Sequence, residues 1–117
     1  MKEYRYDIAI IGGGPAGMAA AVEAAEKSRR KILILERDVQ LGGILQQCIH
    51  DGFGIHRFGK RLSGCEYAQR YINLVMENKI DIMLDTMVLE LTADKDIYSV
   101  NSSEGMTHIQ SKTVILA

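Results

Sequence analysis

The sequence predicts an α/β fold, a parallel sheet with crossover helices that passes into a small antiparallel β-meander. Three observations carry this expectation. Residues 7–36 (DIAIIGGGPAGMAAAVEAAEKSRRKILILE) set out an apolar run, a glycine turn, an alanine-rich helical stretch, a second apolar run and a carboxylate. A second helical pattern over 64–78 leads into another apolar run at 80–84. From residue 87 onward, short runs alternate with turn residues, as in a meander.

Residues 1–6 read as a polar lead-in. The run 8–11 (IAII) is too continuously apolar for a half-exposed strand, so it is a central parallel strand buried on both faces. Gly12, Gly14 and Gly17 then supply G-x-G-x-x-G. The first glycine makes the sharp exit from the strand, and the second lets the backbone approach a pyrophosphate. The third removes a Cβ where helix meets sheet. Pro15 suits the first helical position, where a missing N–H costs nothing. The helix over about 15–28 packs Met18, Ala21, Val22 and Ala25 inward and turns Glu23, Glu26 and Lys27 to water. Lys27, Arg29, Arg30 and Lys31 suit the C-terminal end of the helix dipole. They lie at the strand end away from the glycine loop and read as a solvated face rather than an anion site.

The second buried strand spans 32–35, parallel to the first through a right-handed crossover. Glu36 closes it about 20 residues after the last glycine, where a carboxylate accepts hydrogen bonds from ribose hydroxyls and repels a 2′-phosphate. A bare glycine motif is weak. Strand, glycine loop, helix, strand and acid together make a Rossmann-like dinucleotide-binding unit.

Residues 37–61 hold Gly42, Gly43, Gly52, Gly54 and Gly59 without a sustained period, and a loop of this length is usually functional or disordered. The Gly42-Gly43 pair lets the backbone pass close to a ligand on the side of the phosphate loop. Ser63 with Glu66 forms a capping box, stapled by Leu62 and Tyr67. The helix that follows, about 64–78, carries Ala68, Tyr71, Ile72, Val75 and Met76 on one face. The run 80–84 is a third strand beside the second. Strands over 88–92, 97–101 and 107–110 make the meander, and a separate apolar strand, 113–117, closes a sequence that looks cut there.

At 117 residues the chain is one domain, small for a complete oxidoreductase. Its net charge of −1 gives no reason to expect nucleic acid or an anionic membrane as partner. The charged N-terminus is no signal peptide, and no apolar run is long enough to cross a bilayer. Two cysteines make no disulfide framework, so a cytoplasmic setting is the default. Cys48 reads better as a structural cysteine than as a reactive thiol. Cys48, His50, His56 and Cys65 lack the spacing of a metal site. His50, Asp51 and His56 sit where an acid or base could approach a ligand, but surface hydrogen bonding is the commoner role. Phe53 and Phe58 anchor the glycine-rich loop, and the six methionines are core filler.

The segments DIAIIGGGPAGMAAAVEA, LERD, LGGILQQCIHDGFGIHRFG and TVILA resemble the N-terminal part of two-dinucleotide-binding-domain flavoproteins, the glutathione-reductase-like FAD/NAD(P)-dependent oxidoreductases. GGILQQCIHDGFG is most similar to a bacterial branch associated with anaerobic glycerol-3-phosphate dehydrogenase. The resemblance implies FAD as cofactor. Gly12, Gly14, Pro15, Ala16 and Gly17 match the pyrophosphate loop, and Glu36 with Arg37 matches the adenosine-ribose end. Gly43 with Ile44 matches the loop passing the cofactor. Val88 matches a position whose backbone reads adenine, and Ala117 begins a turn against the cofactor. Disulfide reductases of the superfamily carry C-x-x-x-x-C after the glycine pair. Here Leu45 stands near the first cysteine position and only Cys48 follows, so a flavin-to-disulfide relay is not expected.

Residues 1–117 are thus expected to be the N-terminal segment of an FAD-binding domain. In the intact enzyme a hydride would pass between NAD(P)H, or a small reduced substrate, and flavin N5. The segments that close over the flavin and bind nicotinamide would lie beyond Ala117 or in partner subunits, and the chain alone is expected to be inactive. No catalytic residue is assigned. Two alternatives stay open: a domain that uses NAD directly, and a non-catalytic module that binds no cofactor until completed.

Overall fold

The computed structural model describes residues 1–47, 52–59 and 62–117, apart from the side chain of His56. The chain runs β1 (Lys2–Ile11), α1 (Pro15–Lys27), β2 (Ile32–Leu35), a 3-10 turn (Gly43–Gln47), α2 (Ile55–Phe58) and α3 (Gly64–Glu77). Then come β3 (Asp81–Met83), β4 (Thr86–Leu91), β5 (Asp96–Asn101) and β6 (Gly105–Leu116). Among the described residues they form one mixed sheet in the order β3-β2-β1-β6-β5-β4. Strands β3, β2, β1 and β6 run parallel; β6, β5 and β4 are antiparallel neighbours. The expected α/β class, with a parallel sheet and a meander, is the observed one.

Every residue of β2 is buried because both of its faces are covered. Ile32 and Ile34 pack with Ile10, Met18, Val22, Tyr71 and Val75 under α1 and α3. Leu33 and Leu35 join Tyr6 and Ala9, together with Ile97 and Ile109 from the meander, on the other face. The α3 capping box is present: the Glu66 N–H donates to Ser63 Oγ (3.2 Å), and the Ser63 N–H donates to Glu66 Oε1 (3.1 Å).

Three expectations need correction. The polar lead-in is part of β1, because Tyr4 and Tyr6 alternate inward and the strand pairs with β6 from Lys2 onward. The runs 107–110 and 113–117 are not two strands but one. β6 keeps its register with β1 through Ser111, whose hydroxyl donates to the Thr113 carbonyl (2.7 Å). The long loop also holds two short helical turns. Phe58 meets Tyr67 and Tyr71 edge-on, at 5.7 and 5.5 Å between ring centroids, and Phe53 stacks on Tyr67 at 6.0 Å. Both phenylalanines therefore fasten this segment to α3.

His108 ties three strands together. Its Nδ1 lies 2.8 Å from Glu3 Oε1 and its Nε2 lies 2.8 Å from Asp96 Oδ1, while the ring stacks on Tyr98. The hydrogen bond to Glu3, then that to Asp96, raises the imidazole pKa, and the same His108 contact lowers that of Glu3. A raised histidine contributes stability that is complete below its unfolded value and lost as pH rises through the folded value. A lowered carboxylate contributes stability present above its unfolded value and lost as pH falls through the folded one. The loss in thermal midpoint on His108→Gln is therefore expected to be largest between the ordinary values of Glu, 4.5, and His, 6.5. It should shrink toward pH 9 and toward pH 3, read by circular dichroism melts across that range. A loss independent of pH would contradict the charged clip.

Candidate functional site

The C-terminal ends of β1, β2 and β6 converge at one edge of the sheet, where open α/β sheets place their ligands. There the chain leaves β1 through Gly12, at φ +117, a backbone state that side chains rarely adopt. A Cβ on Gly12 would lie 2.7 Å from the Ala117 carbonyl oxygen, and one on Gly17 would collide with the Gly12 carbonyl. These two glycines are set by packing of strand exit, helix and β6. Gly14 differs. Its φ of −78 is ordinary, and the nearest atom to a Cβ there would be Gly43 Cα at 4.0 Å, so the space beside it is open.

Helix α1 starts at Pro15 with Gly14 as its cap residue; no side chain caps it and its first turn holds no acid. Pro15 and Gly14 are half-buried, Ala16 is exposed and Gly17 is buried. The first-turn amides therefore meet no capping side chain at the positive end of the helix dipole, which is what an anion-binding helix start offers. The second glycine pair meets this loop directly. The Gly42 N–H donates to the Gly13 carbonyl (2.8 Å), and the Gly43 backbone crosses beside Gly14. Gly42 and Gly43 hold φ of +115 and +55, which favours glycine at both positions.

Glu36 is buried to 9% exposure at the end of β2. Its Oε1 accepts from the Gly13 N–H (2.8 Å) and its Oε2 from the Asp38 N–H (2.8 Å). The carboxylate is thus aimed at the glycine loop. Each oxygen has further lone-pair capacity, so both can also accept from a ligand hydroxyl. Beside it opens a cavity of about 450 Å³, the size of a small-molecule site. Gly12, Glu36, Arg37, Val88 and Ala117 line it, joined by Thr86 and Met87. The start of β4 is held there because the Thr86 N–H donates to the Glu36 carbonyl (3.0 Å) and the Asp85 N–H to that of Asp38 (2.8 Å). Ala117 is held by its N–H to the Ile11 carbonyl (3.0 Å).

The residues singled out by sequence fall into two groups and one outlier. Gly12, Glu36, Arg37, Val88 and Ala117 surround the cavity, while Gly14, Pro15, Ala16, Gly17, Gly42 and Gly43 form the adjoining loop and helix start. Ile44 is 65% exposed in the 3-10 turn and does not line the cavity. Sequence reasoning missed Gly13, although it stands in the middle of an unbroken glycine triplet. A Cβ there would press on Leu41 Cδ2 at 2.5 Å and crowd Glu36. Leu41, Thr86 and Met87 had no local signal. Cys48, His50 and Asp51 lie outside the described residues, as does the side chain of His56. Cys65 is exposed at the start of α3, its thiol directed at the Gln46 carbonyl (3.3 Å). Among the described residues no group of metal-ligating side chains converges, and no helix is long and apolar enough to cross a membrane.

Residues 6–117 match the family described as pyridine nucleotide-disulphide oxidoreductase. The chain belongs to that family. It is 34% identical to a ferredoxin–NADP reductase of Leuconostoc citreum, over all of this chain but only 34% of that protein's length. Its fold is similar to that of an L-proline dehydrogenase from P. horikoshii, with TM-score 0.83 and 27% identity over 99% of this chain and 23% of the other. A thioredoxin reductase from Lactococcus lactis matches with TM-score 0.72 and 27% identity over 95% of this chain and 34% of the other. As a member of this family the chain is an FAD-binding flavoprotein module. The open side of Gly14, the uncapped helix start and the aimed carboxylate of Glu36 all fit the ADP half of that cofactor.

The two kinds of glycine separate by experiment. Gly17→Ala should cost about 1–3 kcal/mol in urea unfolding, because backbone must move to admit the methyl group. Gly14→Ala should change stability by less than about 1 kcal/mol, since its dihedrals are permitted and only cap preference is lost. Equal losses would contradict the packing described.

Proposed function

We propose that residues 1–117 are the N-terminal segment of an FAD-binding domain and hold the ADP half of FAD within a flavin-dependent oxidoreductase. The observation that carries this reading is the Glu36 carboxylate, fixed by the Gly13 amide between the glycine loop and the cavity. In this reading the amides of Ala16 and Gly17 receive the diphosphate, with Pro15 fixing the helix start and Gly12 and Gly14 keeping the backbone close. Glu36 accepts the ribose hydroxyls, and Arg37 flanks them from the exposed side. The main chain at Val88 borders the adenine. Gly42, Gly43 and Ile44 run along the cofactor toward its flavin end, and Ala117 closes the lip beside Gly12.

Bound FAD supplies two-electron hydride chemistry that no side chain offers. The chain's own contribution is to bind and orient the nucleotide. It also excludes a 2′-phosphorylated ribose, because Glu36 would face that phosphate with like charge. Exchange of hydride with NAD(P)H or a small reduced substrate belongs to the intact enzyme, whose relatives are about three times longer. Partner segments or subunits complete the flavin site in this reading, and the cytoplasm is its setting. The GGILQQCIHDGFG stretch supports a place in the branch associated with anaerobic glycerol-3-phosphate dehydrogenase.

Calorimetric titration with ADP, FAD, NAD and adenosine 2′,5′-bisphosphate tests the reading. ADP and FAD are expected to bind, and the bisphosphate more weakly than ADP. Glu36→Ala should weaken ADP by about 10- to 100-fold, the worth of one or two hydrogen bonds to a charged acceptor. NAD binding tighter than FAD would favour direct use of NAD. No heat from either ADP or FAD would leave a module that holds no cofactor by itself.

A further inference from the structure

The edge of the sheet opposite the cavity gathers cations from three stretches that are distant in sequence. Arg29, Arg30 and Lys31 follow α1, Arg5 lies in β1 and Lys112 in β6, and all five are exposed. Arg5, Lys31 and Lys112 line a notch where the parallel core gives way to the long β1–β6 ribbon, and the charge of Arg30 acts on Asp7 in its wall. Two adjoining concavities there, about 260 and 240 Å³, share Arg5, Tyr6 and Lys112 as walls. Lys31 Nζ sits 4.7 Å above the Tyr6 ring, and Lys112 Nζ lies 3.4 Å from Asp7. The Asp7 carboxylate also accepts from the Lys31 N–H (2.8 Å). Arg5, Arg29 and Arg30 have no carboxylate within ion-pair distance among the described residues. Asp7 offsets part of this charge through Lys112 and Arg30, but the exposed cations outnumber the carboxylate they face.

We propose that this face docks an acidic segment of a partner protein, whose carboxylates meet Arg5, Arg30, Lys31 and Lys112. The cations are spread around the notch rather than converging on one point, which suits a chain of carboxylates better than a single anion. Nucleic acid fits less well. The one aromatic ring of the notch, Tyr6, is buried beneath Lys31 and offers no face for base stacking, and Asp7 interrupts the positive track. The guanidinium groups of Arg5 and Arg30 are suited to bidentate recognition of carboxylates.

Fluorescence anisotropy with a labelled octaglutamate peptide tests this on the 117-residue chain. The peptide is expected to bind, with affinity falling about fivefold or more between 50 and 200 mM salt as exposed charges are screened. An octaglutamine peptide should not bind. Arg5→Gln with Arg30→Gln should weaken the glutamate peptide by about threefold or more, while leaving ADP affinity and the thermal midpoint unchanged. Neither arginine has an ion pair to lose, so the variant is expected to fold; the salt series on the unmodified chain stands as a second measurement. Four results would each overturn the proposal: no peptide binding, equal binding of octaglutamine, unchanged affinity in the double variant, or tighter binding of oligothymidylate. Displacement of the peptide by about 1 mM inorganic phosphate would also overturn it, by marking a site for a small anion.

Discussion

The contact on which the site depends is between Glu36 and the Gly13 amide. A buried carboxylate is costly unless its charge is met by donors. Here two backbone N–H groups meet it, one from the glycine loop and one from Asp38. The consequence is geometric. The end of β2 and the exit from β1 cannot move independently, so the helix start and the acid keep a fixed spacing. Gly13 has no Cβ because Leu41 and Glu36 already occupy that volume. The glycine triplet is therefore filled by three different constraints: a positive φ at Gly12, crowding at Gly13 and open space at Gly14.

A second tie extends this unit. The Gly42 amide donates to the Gly13 carbonyl, so one residue of the glycine loop is held on both sides. Its N–H is taken by Glu36 and its C=O by the second glycine pair. The loop over 37–47 is thereby docked against the first motif at Leu41, Gly42 and Leu45, which are buried. Phe53 and Phe58 complete the attachment further along by packing on Tyr67 and Tyr71 of α3.

Most of the central fold was legible because its elements are locally consistent. IAII, ILIL and the Ala-rich helix each have one compatible structure, and the Ser63–Glu66 box marks a helix start through chemistry confined to four residues. The errors arose where the deciding partner is remote. Lys2 to Tyr6 look polar and unstructured until β6 pairs with them. Ser111-Lys112 looks like a break until the register with β1 is seen. The site divided in the same way. Glycines and Glu36 carry their reasons in their own spacing, whereas Thr86 and Met87 border the cavity only because backbone hydrogen bonds stitch β4 to the residues after Glu36. The strength of the basic face was likewise hidden, since Arg5 and Lys112 join Arg30 only in three dimensions.

Strand β6 is a single run of 12 residues that reaches from the meander turn to the lip of the cavity. Its side chains alternate between faces, so its alignment is all-or-none. A slip by one residue would turn Thr107, Ile109 and Ser111 outward and carry Ala117 away from Gly12 at the same time. The mouth of the cavity is therefore gauged from the far end of the molecule, with the strand serving as a rigid ruler whose zero is fixed at the meander.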